Sequence, residues 1–455
     1  MTMISSLIRF GRRQLHTIVS KEIIKPSSPT PSHLKTYNLS LLDQMSVNTF
    51  MPMVTFYPNT GIDRTSHDKT IDLKNSLSQT LTKYYPFAGR HAKVAPACVD
   101  CNDEGAEFLE ASVDRTLSDF LQNSQHEDLD QFFPHGLVND KSNRGDDDDL
   151  ESDKVTPLAV QVNHFECGGV AVAVSLSHKI ADACSLATLI NDWAKMTRFC
   201  SGVEKHESPI IDPLFISLEY MNINYEGLSL ERSNDCVTKS FMFPNSKIND
   251  LKLKVKTMTA ESGNPITNPT RVEVLNWLLY KCAVKAAMKN NTSGSFKPTG
   301  VSHLTNIRSK MMEPLPENSM GNLFMIGDIV TNNESEMKPE TFIGEFKMKK
   351  MEFQSLPNIA TTFGLISQMC SKPALEEHQR KLSVSYICTS LCRYPAYEID
   401  FGWGKPIKVA IAGDLRKNSF ILMDSPNGDG IEAFVCLGKQ DMEIIQSDPE
   451  LLAFL

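Results

Sequence analysis

The chain has 455 residues, 41% of them hydrophobic and 22% charged, with a formal net charge of −9. That composition belongs to a soluble globular protein long enough to build cores without covalent staples, which excludes a disordered or fibrous chain. The acidic balance supplies no global field for nucleic acid, so a polyanionic ligand would need a local basic pocket.

Eleven cysteines, an odd number, are scattered without a paired framework, as reduced thiols of a cytosolic compartment would be. Cys98 and Cys101 form a lone CxxC without the further ligands of structural zinc, so no metal is expected. No apolar run reaches the length of a membrane span. Residues 1–20 contain Arg9, Arg12 and Arg13 and no acid. They read as a slightly basic, frayed extension or, alternatively, as an organelle-targeting segment.

Lys25 to Pro31 is proline-rich, which denies helix, and reads as an extended lead-in to a first strand at Tyr37 to Leu41. In Asp72 to Tyr85, Leu73, Leu77, Leu81 and Tyr84 recur at helical spacing until Pro86 and Gly89 stop the run. Strand-like runs follow around Val94 and at Glu107 to Glu110. Residues 139–154 include four consecutive aspartates without calcium-loop spacing and are expected to form a solvated surface loop. Val160, Val162 and His164 then alternate with Gln161 and Asn163, Gly168-Gly169 marks a turn, and Val170 to Leu176 is a second apolar run. This predicts a buried hairpin. A helix with Leu186, Ile190 and Trp193 on one face comes next.

Residues 201–235 show no periodicity and read as a crossover between an N-terminal domain, 21–200, and a C-terminal domain, 236–455. The second half opens with a strand at Ser240 to Phe243 and helices at Ser246 to Thr257 and Arg271 to Met288. Further strands are expected near Val301 to Thr305, Phe324 to Val330, Lys408 to Ala412 and Ile431 to Leu437. No repeat of solenoid or propeller length is visible.

Two segments can carry chemistry. Ser177-His178-Lys179-Ile180-Ala181-Asp182 stands between the hairpin and its following helix, where a rigid scaffold can present a side chain into a cleft. An imidazole with a pKa near ~6.5 is a usable general base at neutral pH. Asp182, four residues on, can hold the imidazole tautomer, complement the helix dipole or pair with an arginine elsewhere. Spacing alone leaves these readings open, and a structural histidine with them. Cys184 and Ser185 read as helix-face residues, with no base placed for covalent catalysis.

The second segment is Asp400-Phe401-Gly402-Trp403-Gly404-Lys405-Pro406. Gly402 and Gly404 permit turns that other residues resist, and Phe401 and Trp403 supply apolar surface. A buried Asp400 needs a cation or several donors, and Arg308 is the expected partner. A rigid loop organising the interdomain face is the favoured role. Direct catalysis by Asp400 is the alternative, although a paired carboxylate is a poor base.

Together, His178-Lys-Ile-Ala-Asp182 and Asp400-Phe-Gly-Trp-Gly404 resemble the BAHD acyltransferase family of plants, in the branch acetylating alkaloids and related specialised metabolites. The stretches Ile24-Lys-Pro-Ser-Ser-Pro-Thr-Pro31, Leu41-Leu-Asp-Gln44, Tyr85-Pro-Phe-Ala-Gly-Arg90, Val99-Asp-Cys-Asn-Asp103, Phe165-Glu-Cys-Gly-Gly169, Thr270-Arg-Val-Glu-Val274 and Ser319-Met-Gly-Asn322 agree. The resemblance implies an α/β fold of mixed sheets, in two chloramphenicol-acetyltransferase-like domains with a channel between them. It implies His178 in mid-channel as general base, Asp182 turned away into a salt bridge, and CoA contacts near Thr270 and Arg271. The Asp400 loop would be mainly structural, although its aspartate is sometimes counted as catalytic.

The implied reaction joins acyl-CoA, with acetyl-CoA favoured, and a small-molecule alcohol in a ternary complex, without a permanently bound cofactor or a metal. The oxyanion would be met by Trp403 or a nearby hydroxyl. The protein is expected to be a cytoplasmic monomer that binds no nucleic acid, with an organelle as the alternative location. Two other readings are a non-catalytic binding protein of the same fold and a serine or cysteine hydrolase. The second is weakened by the lack of a G-x-S-x-G elbow.

Overall fold

The computed structural model describes residues 16–61, 65–93, 97–134, 154–204, 208–216, 235–290, 296–369, 384–413 and 415–455. In the N-terminal half the order is β1 (His16–Ile24), β2 (Thr36–Asn38), α1 (Leu41–Met45), β3 (Phe50–Tyr57), α2 (Ser66–Lys83), β4 (Arg90–Ala92), β5 (Cys98–Asp100), β6 (Ala106–Val113), α3 (Leu117–Asn123), β7 (Lys154–Val155), β8 (Leu158–Phe165), β9 (Val170–Ser177) and α4 (Ala183–Cys200). The C-terminal half runs β10 (Leu214–Phe215), β11 (Cys236–Pro244), α5 (Asn245–Glu261), α6 (Arg271–Asn290), β12 (Thr299–Asn306), β13 (Ser319–Met320), β14 (Phe324–Thr331), α7 (Pro339–Gln354), α8 (Ile359–Met369), β15 (Val384–Ser390), β16 (Lys408–Ile411), β17 (Ser419–Asp424) and β18 (Gly430–Gly438). Short helices at Lys439–Gln446 and Pro449–Leu452 follow.

Two six-stranded mixed sheets frame the molecule, in the orders β1-β6-β8-β9-β3-β16 and β11-β18-β17-β15-β12-β14. The first is antiparallel except where β6 and β8 run parallel. In the second, β12, β15 and β17 run parallel to their neighbours in that series. The β8–β9 hairpin forms as the alternating pattern requires, with Val160 opposite Val174 and Val162 opposite Val172. Val170, Val172, Val174 and Leu176 pack with Leu73, Leu77 and Leu81 of α2 and with Leu186, Ile190 and Trp193 of α4. Strand β9 thus ends at Ser177 on a fully packed base, and His178 starts where that base ends.

Several expectations need correction. The extension expected at 1–20 is strand from His16 onward, paired with β6 so that Ile24 faces Ala106. Residues 1–15 lie outside the described residues. The first strand stops at Asn38, and Leu41 opens α1 instead. Ser40 Oγ accepts from the Asp43 amide while Asp43 reaches back to the Ser40 amide, a reciprocal cap that stabilises a helix start. The same device, Thr65 with Asp68, starts α2 ahead of Asp72. Of the acidic stretch 139–154, only Lys154 is among the described residues, and it lies in β7 against β4. The crossover holds β10, parallel to β13, with Phe215 packed among Tyr37, Tyr84, Tyr85 and Phe87. Residues 217–234 of it lie outside the described residues.

One strand crosses the expected partition. β16, from the C-terminal half, forms the edge of the N-terminal sheet with Ala410 opposite Val54. The C-terminal sheet carries α5, α6 and α7 on one face, where Val301, Tyr386, Phe420 and Val435 are buried. Its other face turns toward the N-terminal half. On β17 and β18, Met423 and Phe434 enter the N-terminal core, and Lys408 of β16 meets Glu432 at 2.7 Å. On β14 at the far edge, Ile326 and Val330 on this face stay 42% and 39% exposed. Among the described residues the seam is therefore closed at one end and open at the other.

Candidate active site

His178 lies in the seam, half-buried, with its amide donating to the Thr49 carbonyl at 2.8 Å. Its ring sits 6.4 Å from that of Phe324, the first residue of β14. Nδ1 lies 3.0 Å from Oδ1 of Asn322. The Asn322 amide nitrogen donates to Asp43 Oδ1 and to the His178 carbonyl, both at 2.8 Å. Nε2 has no hydrogen-bond partner among the described residues. Burial pushes the imidazole pKa below its usual value, which keeps the ring neutral.

Asp182 does not touch the imidazole. It caps α4, with Oδ1 accepting from the Ser185 amide at 2.9 Å, and it takes a two-pronged ion pair from Arg308 at 2.8 and 3.0 Å. Oδ2 also accepts from the Leu323 amide. Burial alone would raise this carboxyl's pKa, but Arg308 and the backbone donors outweigh it and hold the group below the ordinary range. Arg308 spends its remaining donors on the Ser319 and Gly321 carbonyls, the Asn306 side chain and Ser185 Oγ. The pair therefore bolts the β9–α4 corner to the segments after β12 and around β13, rather than orienting a base.

The expected Arg308–Asp400 pair is thus replaced by Arg308–Asp182. Asp400 closes its own loop: Oδ1 accepts from the Gly402 amide at 2.8 Å and the Gly404 amide at 2.9 Å. Both glycines have positive φ, +102° and +100°, which makes this tight wrap possible. Arg198 of α4 donates to the Asp400 carbonyl. Phe401 and Trp403 pack into the N-terminal core against Tyr57 and Trp193. Trp403 Nε1 is buried without a hydrogen-bond partner among the described residues, and the Lys69 ammonium lies 5.2 Å from the indole. No contact joins Asp400, Gly402, Trp403 or Gly404 to His178 among the described residues. The loop is a clasp between β16 and α4, and Trp403 does not stand as an oxyanion donor.

Thr270 and Arg271 start α6. Thr270 and Glu273 cap each other, and Arg271 donates to Asp424 at 3.0 Å and Asn245 at 3.2 Å. The structure does not bring them to His178. Ser185 Oγ is held by Gly321 and Arg308, and burial raises the Cys184 thiol pKa, so neither is an activated nucleophile. The CxxC splits, with Cys98 exposed and Cys101 buried.

Asn322 and Asp43 escaped the residue-level reading. Both lie in stretches quoted for the resemblance, but nothing local in Ser319-Met-Gly-Asn322 or Leu41-Leu-Asp-Gln44 points at a histidine far along the chain. The remaining signal is a polar residue set among apolar ones.

Three comparisons bear on the chain. The family described as "Transferase family" matches residues 16–452. Akuammiline synthase 1 of Alstonia scholaris is 38% identical over 438 residues, 96% of this chain and 97% of that one. Deacetylvindoline O-acetyltransferase of Catharanthus roseus is 35% identical, covering 96% and 97%. The crystal structure of vinorine synthase superposes with a TM-score of 0.78 at 30% identity, covering 97% of this chain and 98% of that one. The mixed α/β architecture and two-half arrangement agree with it.

Proposed function

Because this chain belongs to the Transferase family, the acyl-CoA-dependent BAHD acyltransferases, we propose that it moves an acetyl group from acetyl-CoA to a hydroxyl of an alkaloid or terpenoid, with His178 as general base. One observation carries the base assignment: Nδ1 is held by Asn322 while Nε2 has no hydrogen-bond partner among the described residues. The neutral ring takes the acceptor's proton as its oxygen attacks the thioester carbonyl. The C–S bond then breaks, and the imidazolium gives that proton to the departing sulfur. A base so placed contributes about 10²–10⁴ in rate, and binding both substrates together makes the encounter effectively intramolecular.

The acceptor class is supported by the open end of the seam. Leu304 and Ile387 lie on the same sheet face as Phe324, Ile326 and Val330, because alternate residues of paired strands share a face. Asp328, bonded to Ser302, and Ser385 stand on the same face, so the surface leading away from His178 is apolar with polar groups set into it, which suits a ring system that carries polar substituents. CoA contacts near Thr270 and Arg271 belong to the same proposal, and Arg271→Ala is expected to raise KM for acyl-CoA selectively.

The test is thiol release from acetyl-CoA with a panel of alkaloid, terpenoid and phenolic alcohols, repeated with longer acyl donors. His178→Ala should abolish turnover while the variant still folds and binds acyl-CoA. Undiminished turnover in that variant would remove the base from the mechanism.

A further inference from the structure

We propose that Asp43 is a positioning residue for His178, acting through Asn322 to hold the imidazole in the tautomer that leaves Nε2 unprotonated. The inference rests on His178 being the base. Asp43 is fully buried, with 0% exposure, in α1, far from His178 in sequence. Oδ2 accepts from the Ser40 amide and hydroxyl at 3.0 and 2.7 Å. Oδ1 accepts from both the backbone amide and the side-chain nitrogen of Asn322, each at 2.8 Å.

These contacts settle which way the Asn322 amide points. A carboxylate and the His178 carbonyl only accept, so the group facing both of them must be the NH₂. The amide oxygen then faces Nδ1, which must carry the ring proton to bond it. Nε2 is left with its lone pair toward the open seam. When the ring takes a proton from the acceptor, the positive charge is met at Nδ1 by an amide that Asp43 polarises. An Asn in this position does for a histidine what the third member of a catalytic triad does.

The neighbouring charges fit. Burial pushes the Asp43 carboxyl pKa up from its ordinary value, while the donors of Ser40 and Asn322 on its two oxygens favour the carboxylate, and the Lys179 ammonium, held on the Gln44 carbonyl, adds a nearby positive charge. Asp182, although paired with Arg308, still draws the imidazole pKa up and Lys179 draws it down, and among the described residues the C-terminal half meets the ring through neutral Asn322 and Phe324. Gly321 serves this junction through its backbone, whose φ of +120° other residues rarely adopt; a side-chain carbon there would sit at ordinary contact distance, 3.7 Å, from both Asp43 oxygens.

Asp43→Asn keeps the shape and removes the charge. Its kcat is expected to fall by about 10- to 100-fold, the usual cost of losing a partner that orients a ligand or base, with KM for acyl-CoA nearly unchanged. The acid limb of kcat/KM should move to lower pH, because the imidazolium loses its carboxylate. Ser40→Ala also weakens the α1 cap but keeps that carboxylate, so its limb should stay at the wild-type position. Nitrogen NMR of ring-labelled wild-type protein reads the tautomer without any variant: protonated Nδ1 and bare Nε2 are expected. A proton on Nε2 in the neutral protein overturns the proposal. So does an Asp43→Asn limb that coincides with wild type while His178→Ala is inactive. Activity surviving in His178→Ala instead refutes the base assignment itself, so the two failures are distinct.

Discussion

At the scale of single residues, the site keeps the imidazole out of direct contact with the carboxylates around it, Asp43 reaching it through Asn322 and Asp182 being paired with Arg308. His178 titrates below its usual value because it is buried, and a base must be neutral to act. kcat/KM should therefore hold its plateau to below the ordinary imidazole value of about 6.5 before falling with acid. Asp182 carries the opposite chemistry. Its folded pKa is depressed, so the stabilisation it supplies is complete above the ordinary carboxylate range and fades as pH falls through the folded value. Asp182→Asn leaves Arg308 buried without its counter-charge, and breaking such a pair costs about 3–5 kcal/mol. Urea unfolding at stepped pH should show that loss at neutrality and a flatter acid dependence in the variant. The sequence carried both residues plainly, as HxxxD, but not the division of labour. Three roles fit Asp182 equally well until Arg308 is placed beside it, and the chain separation of the two gives no local hint.

At the scale of elements, the glycine-flanked loop and the helix caps do the fixing. Asp400 satisfies two amides of its own loop through one oxygen, so Asp400→Ala, which removes that acceptor, should lower stability by roughly 1–3 kcal/mol, the cost of leaving such donors unmet. The folded fraction should turn over at close to the wild-type kcat. A melting curve and an active-fraction assay together check this, and a stable but inactive variant would restore Asp400 to the chemistry. Elements with dense apolar runs were legible: the β8–β9 hairpin, buried on both faces, and the helices α2, α4 and α6, whose apolar residues recur at helical spacing. β15 and β17 were not, although they lie inside the second sheet. Val384–Ser390 buries only Tyr386 and Cys388 deeply, and such a short run has too few apolar positions to set a period. β1 was hidden differently. It is an edge strand with only its end residues buried, so its β-branched run lacked the alternation that marks a strand.

At the scale of the whole molecule, two cores share one seam, stitched by the Asp182–Arg308 pair, by Lys408 with Glu432, and by β16. Unfolding should therefore be cooperative across both halves. Trp193 and Trp403 lie in the N-terminal core and Trp277 in the C-terminal one, so variants retaining one set report each half alone. Their denaturation curves should coincide, and two separated midpoints would show that the stitches are weak. The patternless stretch 201–235 suggested a two-half division, yet β16 was not assignable to the other sheet, because a strand's sequence does not name its neighbour. That exchange has a consequence for synthesis. The first sheet reaches a ribosome's exit with β3 as a bare edge, its Met53, Val54 and Phe56 ready to pair with any passing strand. It stays so until almost the whole chain has been translated, when β16 arrives to cover it. Fragments that end before residue 408 should accordingly aggregate, and the nascent protein has a long interval in which a chaperone is its only cover.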